Sequence, residues 1–249
     1  MKIRFLLLLI LTLGCVTVYN PATQREEFYF IDTNTEVVIG KNIAGDIIKE
    51  NKLITDKSKL NYLRSVGEKI ARVSDRAYLQ YEFYILDQEG INAFTLPGGY
   101  IFVNSDLLDK SSEDELAFVL AHEIGHVAAR HSIKRLQATM GINLILSLAL
   151  KDVDNILINN AVDIVYNAVS MGFARSDEFL ADSLAVKYSD KAGYPPSAGI
   201  SLMEKLKKEK TDDFTLIFLS SHPPVEDRIA NIREKMNELK LVKPGDKNN

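Results

Sequence analysis

His122-Glu123-Ile124-Gly125-His126 is the stretch that decides the fold class of this 249-residue chain. Residues i and i+4 of a helix lie on one face, so both imidazoles can reach a single metal ion. Zinc suits this pair, because a zinc site with three protein ligands keeps a fourth position for water. Glu123 is placed to take a proton from that water during attack on an amide. Average composition produces such a match by chance in on the order of one chain per hundred of this length, so the neighbouring sequence must support it.

The sequence around this motif predicts one mostly buried helix over residues 113–130. Ser112 and Glu115 form a capping box at its start, and apolar residues recur behind them at helical spacing. Both histidines then point inward, where a shared metal satisfies ring nitrogens that would be costly to bury without partners. Gly125 leaves two interpretations open: another backbone approaches the helix there, or the helix merely tolerates the glycine.

Length and composition indicate one enzyme-sized domain. The chain is 46% hydrophobic and has no low-complexity tract, so it can bury a full core. Residues 36–74 have the apolar periodicity of two helices separated near 51–58. Residues 79–86 alternate and are rich in aromatic side chains, which predicts a strand that pairs antiparallel with a second strand at 100–103. The expected fold class is α+β, mainly α, with a small antiparallel sheet beside the helix that carries the motif.

The N-terminus has the pattern of a signal peptide. Lys2 and Arg4 precede an apolar run that is too short to span a bilayer but fits a signal-peptide core. Without the first 14 residues, the chain has 28 basic residues against 34 acidic ones, a net charge of −6. This acidic balance argues against a nucleic-acid partner or an anionic lipid surface. The predicted boundaries are 1–14 for the signal peptide, 15–35 for the N-terminal tether, 36–240 for the domain and 241–249 for a flexible tail.

The single cysteine, Cys15, directly follows this segment, so no internal disulfide can form. Its position resembles that of the lipid-modified cysteine of bacterial lipoproteins, with Gly14 as the small residue before the cleavage site. Thr12 and Leu13 depart from the usual pattern, which leaves an incidental thiol in an uncleaved apolar anchor as the alternative. Several acyl chains would hold the protein firmly on a membrane. By similarity to lipoprotein sorting rules, Val16 favours the periplasmic face of the outer membrane.

A second motif lies before the predicted metal helix, where residues 92–100 are Asn-Ala-Phe-Thr-Leu-Pro-Gly-Gly-Tyr. Together with the stretch 115–127, this motif resembles the HtpX-like and CAAX-prenyl-protease family of zinc metallopeptidases, which are gluzincins. The resemblance resumes at 175–188 and 221–229 and covers roughly residues 36–240. It implies a zincin-like fold with one Zn²⁺ per chain and protein or peptide substrates. The N-terminal cysteine is similar to that of the bacterial lipoprotein branch of this family.

The third metal ligand has to come from another part of the chain. A metzincin would need glycine at 129 and histidine at 132, where this chain has Ala129 and Ser132, so that class is excluded. On one continuous helix, His131 would point about 140° away from His126. His131 is therefore interpreted as a helix-end or packing residue.

By the resemblance, the third ligand is Glu178, which begins a Glu-x-x-x-Asp stretch that ends at Asp182. Asp182 would face the same way one turn later and accept a hydrogen bond from the free N–H of His122. The alternative for both acidic residues is a solvated face at the start of a helix.

His222 and Arg228 lie in a stretch that resembles the family's His-Pro-x-x-x-x-Arg-Ile segment. The resemblance places both residues beside the zinc cleft. There His222 would stabilise the oxyanion, bind substrate or transiently occupy the open zinc position. Arg228 would stabilise charge or hold Asp182 in place. A purely structural role is the alternative for each residue.

Two further segments can be interpreted from the sequence. The edge of the sheet is expected to bind substrate as an added strand, because such binding uses main-chain contacts and few side chains. The residues predicted for this role are Gly98, Gly99, Tyr100, Ile101 and Phe102. Within residues 140–172, two apolar stretches are each too short to span a bilayer. They predict a helical hairpin that covers the cleft or touches lipid, with a hairpin buried in the core as the alternative.

Together these patterns predict a membrane-tethered zinc endopeptidase of the cell envelope that hydrolyses unfolded or misassembled envelope proteins. Zinc on His122, His126 and Glu178 would polarise the scissile carbonyl and its water, and Glu123 would pass the proton to the leaving amine. The alternative is a zinc-containing chaperone or assembly factor that rarely cleaves. Intact Glu123 argues against that alternative, but only turnover separates the two. The sequence does not predict the substrates or the oligomeric state.

Overall fold

The computed structural model describes residues 16–29, 31–139, 173–208 and 225–242. The strands in these ranges are β1 (Val16–Asn20), β2 (Arg25–Tyr29), β3 (Glu82–Leu86), β4 (Ala93–Leu96) and β5 (Tyr100–Asn104). The helices are α1 (Thr33–Glu50), α2 (Lys57–Ala71), α3 (Ser105–Lys110), α4 (Glu113–Ala128), α5 (His131–Thr139), α6 (Arg175–Lys191), α7 (Ala198–Lys208) and α8 (Val225–Val242). The predicted α+β class, mainly α, is confirmed. None of these helices combines the length and the hydropathy needed to cross a bilayer.

The three-stranded sheet is mixed, with β5 between the other two strands. β3 pairs with β5 in parallel, and β4 pairs with β5 antiparallel. The prediction that β3 and β5 pair antiparallel is wrong. The reason is the turn Pro97–Gly99, in which Gly98 and Gly99 have φ values of 77° and 98° that favour glycine. This turn closes a hairpin between β4 and β5, so β3 is left to pair with the other side of β5.

The central position of β5 also corrects the predicted substrate edge at residues 98–102. Tyr100, Ile101 and Phe102 are buried, and their strand is hydrogen-bonded on both sides. A strand with two neighbours has no free main-chain groups for an added peptide. Gly98 and Gly99 belong to the turn, where the Gly98 N–H donates to the Glu36 carboxylate at 3.2 Å.

The two faces of the sheet pack against different helices. On one face, Phe102 stacks between Tyr84 and Phe94 at centroid distances of 4.9 and 5.1 Å, and this face packs on α1. The opposite face packs on α2 and α4. Gly40 of α1 lies against the turn, since a Cβ there would stand 1.8 Å from the Pro97 carbonyl oxygen. This close approach fixes α1 over the end of the hairpin.

Helix α4 forms the centre of the fold. The predicted capping box is present: the Ser112 hydroxyl accepts from the Glu115 N–H, and the Glu115 carboxylate accepts from the Ser112 N–H. Every residue of α4 from Glu115 to Ala128 is buried. Its most extensive contact is with α6, and it also packs on α2 and α7. The prediction of two helices within residues 36–74 is confirmed by α1 and α2.

The segment predicted as an N-terminal tether contains an antiparallel ribbon of β1 and β2. β1 begins with Val-Thr-Val-Tyr, a run of β-branched and aromatic residues that favours a strand and that the tether interpretation did not use. The ribbon packs on the start of α5 and on the residue before it. Lys134 Nζ of α5 lies 2.5 Å from Glu27 Oε1, and the guanidinium of Arg130, just before α5, lies 3.9 Å from the centroid of the Tyr29 ring. The ribbon is therefore joined to the body of the domain by charge and by a cation–π contact. Cys15, His222 and residues 140–172 lie outside the described residues.

Candidate metal centre

Helices α4 and α6 bring three possible metal ligands together. His122 and His126 are one turn apart on α4, and Glu178 lies in the first turn of α6. The two Nε2 atoms are 3.0 Å apart. Glu178 Oε2 lies 3.4 Å from His122 Nε2, and Glu178 Oε1 lies 3.5 Å from His126 Nε2. The three predicted ligands, His122, His126 and Glu178, therefore lie together as a triangle. Within the described ranges, this is the cluster of side chains found to be able to hold a metal ion.

The dimensions of this triangle fit zinc. A tetrahedral zinc ion with ligands at about 2.0–2.1 Å separates its ligand atoms by about 3.3 Å. The distances measured here lie around that value: 3.0 Å between the two Nε2 atoms, and 3.4 and 3.5 Å from these atoms to the two different oxygens of Glu178. Two imidazoles and one carboxylate are also a donor set typical of catalytic zinc, which keeps its fourth position open.

The second ring nitrogen of His122, Nδ1, contacts the ion pair formed by Asp182 and Arg228. His122 Nδ1 lies 3.0 Å from Asp182 Oδ1, one turn beyond Glu178 on α6. Arg228 on α8 donates to both carboxylate oxygens of Asp182, at 2.6 and 2.9 Å, and its Nη2 lies 3.2 Å from the same Nδ1. Asp182 and Arg228 are both buried, so this fork is shielded from solvent. The geometry matches the predicted contact of Asp182 with His122 and of Arg228 with Asp182.

The charges around the triangle favour a cation. Burial lowers the pKa of His122, but its contacts with Asp182 and Glu178 outweigh burial and the repulsion from Arg228, and raise that pKa to about 9. Burial raises the pKa of Asp182, yet Arg228 and His122 outweigh burial and hold that pKa below its usual value. Carboxylates that favour a proton on His122 also favour a divalent cation at its Nε2.

Glu123 is buried beside the ligands. It is 2% exposed, and burial together with the nearby Glu178 carboxylate raises its pKa to about 8, against the opposing effect of His122 and Arg228. A small cavity between α4, α7 and α8 adjoins it and is lined in part by Phe118, Leu202 and Met203. The carboxylate that the sequence predicts as the proton acceptor is therefore next to the candidate metal site and away from bulk water.

The second ring nitrogen of His126 is also occupied, and the sequence did not predict its partner. His126 Nδ1 lies 2.8 Å from Nδ1 of His131. The other nitrogen of His131 lies 3.7 Å from Asp177 Oδ1. Phe173 stacks on the His126 ring, with centroids 4.0 Å apart. Burial lowers the pKa of His131 to about 3, so its imidazole is neutral.

The prediction that His131 faces away from His126 is wrong because the helix does not continue. α4 ends at Ala128, and Arg130 adopts a left-handed conformation with φ of 56°. The chain then enters α5 in a new direction, which returns His131 to the metal ligands. Neither glycine nor proline marks this break, so the sequence contains no ordinary signal for it.

Comparison with known proteins agrees with this geometry. Residues 57–236 match the model of peptidase family M48. The match covers all three candidate ligands together with Glu123, Asp182 and Arg228.

Several curated relatives are similar over most of this chain. It is 29% identical over 229 residues to the mitochondrial metalloendopeptidase OMA1 of Schizosaccharomyces pombe. The aligned region covers 90% of this chain and 67% of that protein. It is 26% identical over 259 residues to a putative beta-barrel assembly-enhancing protease of Vibrio cholerae, covering 96% of this chain and 53% of the relative. The chain thus spans about half the length of that bacterial relative. The crystal structure of S. mikatae Ste24p aligns with 18% identity and a TM-score of 0.42, over 77% of this chain and 55% of that one.

Proposed function

The chain belongs to peptidase family M48, the zinc metallopeptidase family whose model matches residues 57–236, and we propose that it acts as a zinc endopeptidase on unfolded or misassembled proteins of the cell envelope. One observation carries this proposal. The triangle of His122, His126 and Glu178 has the dimensions of a zinc site. Glu123 lines the same small cavity as His122 and interacts electrostatically with His122 and Glu178.

Zinc held by these three residues would supply Lewis-acid activation of water and of the scissile carbonyl. Glu123 takes the proton from the attacking water and passes it to the leaving amine. Glu123 is buried, at 2% exposure, which excludes bulk water from this transfer. Asp182 accepts from the Nδ1–H of His122, which fixes the ring with Nε2 toward the metal, and Arg228 keeps Asp182 ionised. His222 is proposed to act on the oxyanion, on substrate or at the open zinc position.

The proposed substrates and location rest on two kinds of support. Relatives that cover most of this chain are named metalloendopeptidase and beta-barrel assembly-enhancing protease. The N-terminal segment resembles a lipoprotein signal, and we propose that Cys15 carries lipid and holds the enzyme at the periplasmic face of the outer membrane.

The decisive test of the activity combines metal analysis with turnover. The purified full chain should contain one zinc ion and cleave an unfolded casein, and a chelator should abolish cleavage. Glu123→Gln should retain zinc and lower kcat by about 10²- to 10⁴-fold, because it removes a base and not a ligand. Asp114→Asn makes the same change on an exposed residue of α4 and should keep full turnover.

Two results would contradict the proposal. Comparable turnover by Glu123→Gln and wild type would remove the role of Glu123. A zinc-loaded wild type that prevents casein aggregation without cutting it would favour the chaperone alternative.

The anchor has its own test. Cys15→Ser should release the protein from membranes or leave its signal uncut. Membrane retention and acylation of that variant would rule out the lipoprotein interpretation without affecting the proposed chemistry.

A further inference from the structure

We infer that His131 is a positioning residue that holds His126 in the orientation and tautomer needed to bind the metal. The inference deepens the proposed function and rests on it. His131 does not reach the metal triangle itself; it acts through His126.

The geometry places His131 directly behind the ligand. Its Nδ1 lies 2.8 Å from Nδ1 of His126, on the side of the ring opposite the Nε2 that faces His122 and Glu178. Both histidines are buried, at about 1% exposure each. The contact is therefore a hydrogen bond between two side chains that water does not reach.

The chemistry of a metal-bound imidazole sets the direction of this bond. A histidine that binds a metal through Nε2 is neutral and carries its proton on Nδ1. His126 therefore donates, and His131 accepts with the lone pair of its own Nδ1. An imidazole that accepts through Nδ1 carries its proton on Nε2, so one tautomer of His131 is required.

The surroundings of His131 support that tautomer. Its Nε2 has no hydrogen-bond partner in the described part of the chain, and the Asp177 carboxylate lies 3.7 Å away, which is too long for a hydrogen bond but close enough to attract an N–H dipole. Asp177 is the residue before the ligand Glu178 at the start of α6. His126 and His131 thus both lie against the first turn of α6, His126 beside Glu178 and His131 beside Asp177.

If His131 only packs, its volume alone matters. If it positions His126, the hydrogen-bond acceptor at its Nδ1 matters. Two substitutions separate these roles. His131→Leu fills similar volume without an acceptor. His131→Asn places an amide oxygen near the position of Nδ1 and keeps the acceptor. Ser132→Ala is the control, because it removes a buried hydroxyl from the neighbouring position of α5. That hydroxyl lies 3.5 Å from the Thr95 carbonyl oxygen and contacts no ligand.

The measurement is zinc affinity by competition with a chromophoric chelator, together with thermal unfolding of the zinc-free proteins. His131→Leu should weaken zinc binding by about 10- to 100-fold, the effect typical of losing a hydrogen-bond partner of a ligand. His131→Asn and Ser132→Ala should stay within about threefold of wild type. If His131→Leu binds zinc like wild type, or if His131→Asn loses as much affinity as His131→Leu, the inference is wrong.

A measurement on the wild type covers the case in which His131→Leu does not fold. In zinc-loaded protein with ¹⁵N-labelled histidine, His126 should be protonated at Nδ1 and His131 at Nε2. A proton on Nδ1 of His131 would overturn the inference. A wild type that binds no zinc would instead count against the proposed function, so the two failures are distinguishable.

Discussion

Gly125 of α4 lies directly against Ala181 of α6: a Cβ on the glycine would stand 3.2 Å from the Ala181 carbonyl oxygen. The same Cβ would stand 3.2 Å from the Cβ of Leu184. Of the two interpretations that the sequence left open for Gly125, close approach of another backbone is therefore correct. This contact sets the spacing of the two helices that supply the candidate metal ligands.

Enlarging Gly125 should therefore weaken the metal centre as well as the fold. Gly125→Val should lower the free energy of unfolding by about 1–3 kcal/mol, because rigid atoms line the contact, and should weaken zinc binding by separating Glu178 from the histidines. Gly45→Ala on α1 is the matched control, since nothing lies within 4 Å of its Cβ position; it should raise stability by about 0.5–1 kcal/mol. Urea unfolding and chelator competition measure both effects. Unchanged zinc affinity in Gly125→Val would show that the helix spacing does not control the site.

Removing the carboxylate of Glu178 should empty the site. Glu178→Ala leaves two histidines, which make an incomplete set for structural or catalytic zinc. Metal content after dialysis against a mild chelator should fall to background, and the difference in melting temperature between zinc-loaded and chelated protein should vanish. Glu234→Ala, an exposed charge removal on α8, should retain both properties. Full zinc content in Glu178→Ala would move the third ligand elsewhere.

The Asp182–Arg228 pair predicts a large effect on stability that does not depend on metal. Arg228→Leu leaves a buried carboxylate without its fork of donors and should lower the free energy of unfolding of the zinc-free protein by about 3–5 kcal/mol. Arg228→Lys should lie between this variant and wild type, since it keeps the charge but not the fork. Arg233→Leu changes an arginine on the same helix that is 63% exposed, and its effect should stay within about 0.5 kcal/mol. Equal stabilities of Arg228→Leu and Arg233→Leu would contradict the geometry.

The ribbon of β1 and β2 should detach in acid. Burial raises the pKa of Glu27, but hydrogen bonds from Lys134, Tyr29 and Asn20 outweigh burial and lower it. A carboxylate with a lowered pKa stabilises the fold above its unfolded pKa of about 4.3, and that stabilisation is lost as the pH falls through the folded pKa. Hydrogen exchange in residues 16–29, corrected for the intrinsic rate, should therefore increase below about pH 4 more than exchange in α2.

Two variants check the origin of this acid response. Glu27→Gln should show a loosened ribbon at neutral pH and a flat response to acid. Glu26→Gln, on the exposed face of the same strand, should behave like wild type. A ribbon equally protected at pH 3 and pH 7 in wild type would refute the role of Glu27.

The parts of the site that the sequence predicted correctly depend on short-range rules. The capping box and the helical spacing locate His122 and His126 on one face of α4, and the resemblance supplied Glu178. The parts that it missed depend on where distant segments meet. The neighbours of β5 depend on which turn closes the hairpin, and the position of that turn depends on the packing of the whole sheet. The left-handed conformation of Arg130 brings His131 to His126, and no local sequence signal marks it.

The contact between Arg228 and His122 joins positions that are 106 residues apart in the chain. Contacts over such long separations form late, because closing the intervening loop costs entropy before the contact stabilises it. Until α6 has docked, the chain carries two histidines on one helix and an incomplete set of metal ligands. Until α8 has docked, Asp182 lacks the Arg228 guanidinium. The proposed peptidase activity would therefore arise only once folding is complete, and a molecule that unfolds would lose this activity together with its metal site.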